Sequence, residues 1–145
     1  MKTLSLLVVG ILAAGLAGCS GAPKTFMRTH EQRWISTEIR KDMPYDRAWK
    51  MCLDVIAKRF EVSMVSKEAG LIQTTWTPIV TEKDPLGRLS ARVTLLFSPD
   101  RRVVQMRLSA RFQPPEAKHF IYGFDTDVTN TLKADIMGVV GRTTR

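Results

Sequence analysis

Histidine and cysteine are scarce in this 145-residue chain, two of each, and 14 acidic residues face 22 Lys and Arg. Neither histidine, His30 or His119, has neighbours at metal-ligand spacing, so no zinc-type site is expected. The chain also lacks a Ser-centred nucleophile motif, a Gly-rich phosphate loop and a His-x-x-x-His helix. Its apolar faces carry no spare polar groups from which to line a catalytic pocket. Asp125 and Asp127 form the one paired-carboxylate motif, but they stand at the start of a helical pattern, where acids cap amides and favour the helix dipole. The sequence therefore reads as non-catalytic, with no metal or cofactor expected.

What is present begins at the N-terminus. Lys2 is followed by an apolar run, residues 4–16, interrupted only by small residues, which is the build of a secretory signal peptide. A transmembrane helix needs about 20 apolar residues, so this run is expected to be removed rather than retained. It ends in Leu16-Ala17-Gly18-Cys19, which resembles the lipobox of bacterial lipoproteins. The resemblance implies that residues 1–18 are cleaved and that Cys19, its thiol carrying a diacylglycerol, is the first residue of the mature protein. Two or three acyl chains hold a protein on a membrane where one does so only marginally. In such lipoproteins Asp after the cysteine means inner-membrane retention; Ser20 occupies that place here, so the resemblance implies the periplasmic face of the outer membrane in a diderm cell.

Cleavage of residues 1–18 from a 145-residue chain leaves 127, enough for one domain and one core, and losing Lys2 takes the formal charge from +8 to +7. For an exported protein, nucleic acid drops out as a partner. The anions in reach become lipid phosphates, peptidoglycan carboxylates and acidic protein faces, although a basic surface also serves plain solubility. With Cys19 acylated, Cys52 is the remaining thiol, no intramolecular disulfide is possible, and its place on an apolar helical face reads as a small buried hydrophobe.

Periodicity organises the rest. Residues 19–32 read as the acylated terminus and a linker, 33–141 as a single domain, and 142–145 as a frayed tail. A strand is expected over 34–41. Pro44 then opens a helix to about residue 59, with Tyr45, Ala48, Trp49, Cys52, Leu53, Ile56 and Phe60 at helical spacing. Strands follow at 61–66 and 71–77, turning at Gly70, with Val62 and Met64 on one face and Ile72, Thr74 and Trp76 on the matching one. A loop over 78–87 leads to a long hairpin, 88–112, turning at Ser98-Pro99-Asp100-Arg101. After a loop through Tyr122 and Gly123, a helix over about 125–140 carries Val128, Leu132, Ile136, Met137 and Val140 inward. The expected fold is α+β: a two-layer sandwich, an antiparallel sheet of about five strands with two helices on one face, in the order β-α-β-β-β-β-α.

A second resemblance rests on a strand, a helix beginning Pro44-Tyr45-Asp46-Arg47-Ala48-Trp49, then Phe60-Glu61-Val62 leading through Ala69-Gly70-Leu71-Ile72 to Thr75-Trp76. This pattern, over residues 35–76, looks like the helix-grip domains of BamC-type lipoproteins of the β-barrel assembly machinery. Those proteins carry two such domains and a long unstructured N-terminal segment, whereas this chain has room for one domain and a short tether. The resemblance implies the fold more than the partner.

Two surfaces stand out. If residues 98–101 form the hairpin loop, Arg92 pairs with Arg107 and Arg88 with Arg111, four guanidinium groups on the polar face. Like charges opposite one another destabilise a sheet, so the cluster suggests an anionic partner, unless Glu61, Glu38, Asp100 or water neutralises it. The second surface is a loop with Phe120, Ile121 and Tyr122, either interface anchors or residues tucked under the sheet. The resulting expectation is a membrane-anchored, non-catalytic binding or adaptor component of the cell envelope, with an envelope protein as partner, in outer-membrane protein assembly. Two alternatives are a lipid- or small-ligand-binding helix-grip module, which needs a cavity between helix and sheet, and a structural lipoprotein that binds peptidoglycan.

Overall fold

Successive side chains of an extended chain point to opposite faces, so alternating apolar and polar residues make a sheet with one buried side. The computed structural model describes residues 21–31, 33–82 and 84–142; the segment 1–18, Cys19, Ser20 and residues 143–145 of the expected tail lie outside the described residues. In chain order the elements are β1 (Phe26–Arg28), β2 (Ile35–Glu38), α1 (Tyr45–Ala57), β3 (Val62–Ser66), β4 (Leu71–Thr74), β5 (Thr77–Pro78), β6 (Leu89–Phe97), β7 (Val103–Phe112), β8 (Ile121–Asp125) and α2 (Thr126–Val140). The class is α+β, with two helices and an eight-stranded antiparallel open sheet among the described residues. Its strands run β1-β8-β7-β6-β4-β3, with β2 also beside β7 and β5 also beside β6.

The sheet thus has eight strands where about five were expected, because the 71–77 segment divides into β4 and β5, and because β1 and β8 form where irregular chain was expected. Phe26–Arg28 of the expected linker pairs with Gly123–Asp125 of the expected loop. Gly123, which the sequence places in a loop, is instead a close-approach residue: a Cβ there would run into the Met27 carbonyl oxygen.

The inner faces of β6 and β7, Leu89, Ala91, Val93, Leu95 and Phe97 with Val104, Met106, Leu108, Ala110 and Phe112, share one core with Ala48, Trp49, Cys52, Val55 and Ile56 of α1 and Leu132, Ile136 and Val140 of α2. The helices also pack on each other and are tied at the surface by Arg59 and Asp135 at 3.0 Å. Pro44 precedes the first turn of α1, where a missing N–H is harmless. Asp125 caps α2 by accepting from the Val128 N–H at 2.9 Å, and it accepts the Thr25 hydroxyl at 2.6 Å, which holds the N-terminal segment against the helix. Met137, expected on the inward stripe, is exposed. In β3 a register shift between Val62 and Met64 breaks their expected common face; Val62 packs against the core, while Met64 and Val65 are both half exposed.

Candidate functional site

The β6–β7 hairpin turns differently from its expected form. Ser98 N–H donates to the Val103 carbonyl and Arg101 N–H to the Ser98 carbonyl, and the Ser98 hydroxyl accepts from the N–H groups of Arg102 and Val103. The Ser98 hydroxyl donates to the Asp100 carboxylate, which also accepts the Arg102 N–H, and these two hydrogen bonds hold its carboxyl below the ordinary carboxylate range. Arg101 takes a left-handed conformation, φ 58°. The loop proper is therefore 99–102, and every pair slides by two: Arg92 faces Ser109, Thr94 faces Arg107, Ser90 faces Arg111. The directly opposed arginine pairs do not form. A slip of two preserves side-chain facing, so Arg92, Arg107 and Arg111 still share the outer face, with Arg92 diagonal to both others.

Arg88 lies apart. It sits just before β6, its carbonyl accepts the Gln113 N–H, and it lines a cleft of about 640 Å³ with Gly21–Thr25, Thr81, Asp84 and Asp127.

Aromatic rings cover the other three. The Arg92 guanidinium lies 4.9 Å from the Trp76 ring centroid, and Arg111 lies 4.4 Å from Trp76 and 4.2 Å from Phe120. Arg107 lies 4.7 Å from the Trp34 ring. Tyr122, opposite Arg111 across β7 and β8, meets Trp76 edge-on at 6.2 Å and Phe120 at 6.4 Å. Between the arginines lie the short side chains Ser90, Thr94 and Ser109, all buried beneath this layer although they point away from the helices. Small residues there let the long cations lie flat along the sheet.

No carboxylate neutralises the arginines among the described residues. Glu38 pairs with Arg142 at 2.8 Å, Asp100 is engaged in the turn, and Glu61 makes no ion pair. The ring faces offer the arginines a negative quadrupole in place of a counter-ion. Stacking uses the flat face of a guanidinium and leaves its edge donors unspent. The Nε atoms of Arg107 and Arg111 are buried without a hydrogen-bond partner, and the terminal nitrogens make no hydrogen bond to described residues. The arrangement presents the terminal nitrogens of pre-oriented, uncompensated guanidinium groups, suited to carboxylate or phosphate.

Of the expected interface loop, Phe120 and Tyr122 join this face, while Ile121 pairs with the core residue Phe112 and is half-buried. Tyr122 and Ile121 belong to β8 rather than to a loop. The sequence reading missed Trp34 and Trp76. Trp34 could have been placed, since it has the same parity as Ser36 and Glu38, opposite to Ile35 and Thr37. Trp76 could not: β4 pairs Gln73 with Thr94, whereas β5 pairs Thr77 with Ala91, and the extra residue between them turns Trp76 away from the core face shared by Ile72 and Thr74.

Elsewhere, Cys52 is fully buried and burial pushes its thiol up to about 12, which makes it a poor nucleophile. Burial also raises the Tyr45 phenol, whose ring packs on Trp49 and Phe97 under the Arg101 guanidinium. No helix among the described residues is long and apolar enough to cross a membrane. No family profile matches the chain, and no curated protein matches it.

Proposed function

We propose that the chain is a bacterial lipoprotein, acylated on Cys19 and held at the periplasmic face of the outer membrane, whose domain acts as a non-catalytic binding or adaptor component of the cell envelope. The Leu16-Ala17-Gly18-Cys19 sequence supports the anchor, and Ser20 supports the outer membrane over the inner. The observation that carries the binding role is the row of Arg92, Arg107 and Arg111, stacked on Trp76, Trp34 and Phe120 with no carboxylate of the described chain taking up their charge. Its partner is an envelope protein that brings acidic groups to that face. The resemblance of residues 35–76 to BamC-type domains points to outer-membrane protein assembly as the setting, and a core shared by both helices and the inner sheet face is compatible with a two-layer, helix-grip-like arrangement.

The main alternative, a lipid or small-ligand carrier, requires a cavity between helix and sheet. Trp49, Phe60 and Phe97 fill the space between α1 and the sheet, each at most 6 % exposed, which favours the adaptor reading; Phe112 instead lines the cleft of about 640 Å³ with Leu89 and Val128, the place a small ligand would take. Peptidoglycan carboxylates would also suit the guanidinium groups, and that reading expects pelleting with cell walls that salt abolishes.

The test is capture from outer membranes in mild detergent with the tagged full-length protein, beside a variant carrying Arg92→Gln, Arg107→Gln and Arg111→Gln. A stoichiometric envelope protein recovered with the parent and lost with the triple variant supports the proposal, and Arg88→Gln leaves capture unchanged. Equal recovery with the triple variant overturns the role of this face.

A further inference from the structure

Leu86 and Val80 are the most exposed large hydrophobic residues of the described chain, 72 % and 67 %, well above Met64 at 51 %. Thr81 and Asp84 bridge each other, the Asp84 carbonyl accepts the Gly87 N–H, and the Asp84 carboxylate, nearly buried, accepts the Leu89 N–H at 3.1 Å. Gly87 has φ +59°, and a Cβ there would press on Pro78 and Val80 at 3.1 and 3.2 Å. A nearly buried acid and a left-handed glycine thus shape the described residues on either side of Lys83 into a knob that turns two apolar side chains outward.

The position of the knob identifies what it meets. Ile79, Thr81, Asp84 and Arg88 line the same cleft as Gly21–Thr25, so the knob stands at the end of the domain where the chain arrives from its N-terminus. Cys19 lies two residues before Gly21, a reach of at most about 7 Å. Given acylation of Cys19, on which this inference rests, that end of the domain lies against the lipid headgroups, and apolar side chains of interfacial proteins sink about 5–10 Å below that level. Lys24 and Arg88 share this end with Glu82 and Asp127, so mixed charge leaves apolar burial as the attraction.

We propose that Val80 and Leu86 form a second membrane contact, inserting into the phospholipid interface beside the acyl chains and fixing the orientation of the domain on the bilayer. With lipid alone the domain would swivel on a tether; with the knob inserted it has two points of attachment, and the arginine face keeps a set direction.

The test uses the full-length protein purified from membranes, with Leu86→Cys, Val80→Cys or, for comparison, Met64→Cys labelled with an environment-sensitive fluorophore. Cys52 is buried and leaves the introduced thiol as the labelling site. Each protein is reconstituted into phosphatidylethanolamine and phosphatidylglycerol vesicles containing headgroup-level nitroxide lipid, and the mass of its N-terminal peptide reports the lipid on Cys19. Quenching of most emission at 86 and 80, with none at 64, supports the inference. A lipidated protein quenched no more at 86 than at 64 overturns it and leaves the anchor intact, whereas a Cys19 without lipid overturns both.

Discussion

Cys52 shows how far burial alone sets the behaviour of a residue. On α1 it packs at zero exposure among Ala48, Val55 and Ile56, and desolvation raises its thiol from 9.0 to about 12. A folded pKa above the unfolded one means that this group's contribution to stability is complete below pH 9 and is lost as pH rises from there toward 12, because the unfolded thiol ionises first. At pH 10 the loss is about 1 kcal/mol. Urea unfolding at pH 7 and pH 10 should therefore show a steeper alkaline decline for the parent than for Cys52→Ala. The half-buried Tyr45 phenol shifts the same way but is common to both proteins and cancels. Equal alkaline slopes would show that the thiol is solvated in the native state.

At the scale of elements, the outer sheet face holds together through stacking, so its energetics should be coupled. Trp76 serves Arg92 and Arg111 at once. Each such contact contributes about 0.5–1 kcal/mol at an exposed site. Trp76→Ala should cost at least about 1–2 kcal/mol, and a double-mutant cycle with Arg111→Gln should give a coupling of about 0.5–1 kcal/mol, read from urea midpoints. Strict additivity would mean the cations are held by the sheet alone. This face was half legible in the sequence. The alternation of Arg92, Arg107 and Arg111 with apolar residues assigns them to one side, and an error of two in register leaves that side unchanged. Their cross-strand partners were not legible, because the turn depends on the Ser98 hydroxyl and a left-handed Arg101 rather than on a glycine signal. Trp76 depends on an irregularity between β4 and β5 that pattern does not encode, and Gly123 marks a close approach of β1 that only the paired strand makes visible.

For the whole molecule, the proposed anchor and the sheet together define a height above the membrane. Strand β6 runs nine residues from Leu89, beside the N-terminal segment, to Phe97 at the hairpin turn, about 30 Å. Arg111, opposite Ser90, lies one residue along it, Arg92 three and Arg107, opposite Thr94, five, which spreads the arginine row over about 3–17 Å from the tethered end. A partner embedded in or pressed to the same membrane would meet the row at that level, at the high effective concentration that a short tether imposes. Inserting twelve Gly and Ser residues between Ser20 and Gly21 adds a root-mean-square reach of about 20 Å. The first backbone hydrogen bond described in the chain runs from the Phe26 N–H to the Pro23 carbonyl, so the insertion leaves the fold untouched and the urea midpoint unchanged. Capture of the partner from intact membranes should nevertheless fall, and should recover in detergent extracts at high concentration, where the tether no longer sets the encounter. Undiminished capture from intact membranes would place the partner in the periplasm, approaching the arginine face from the side of the hairpin turn rather than along the lipid surface.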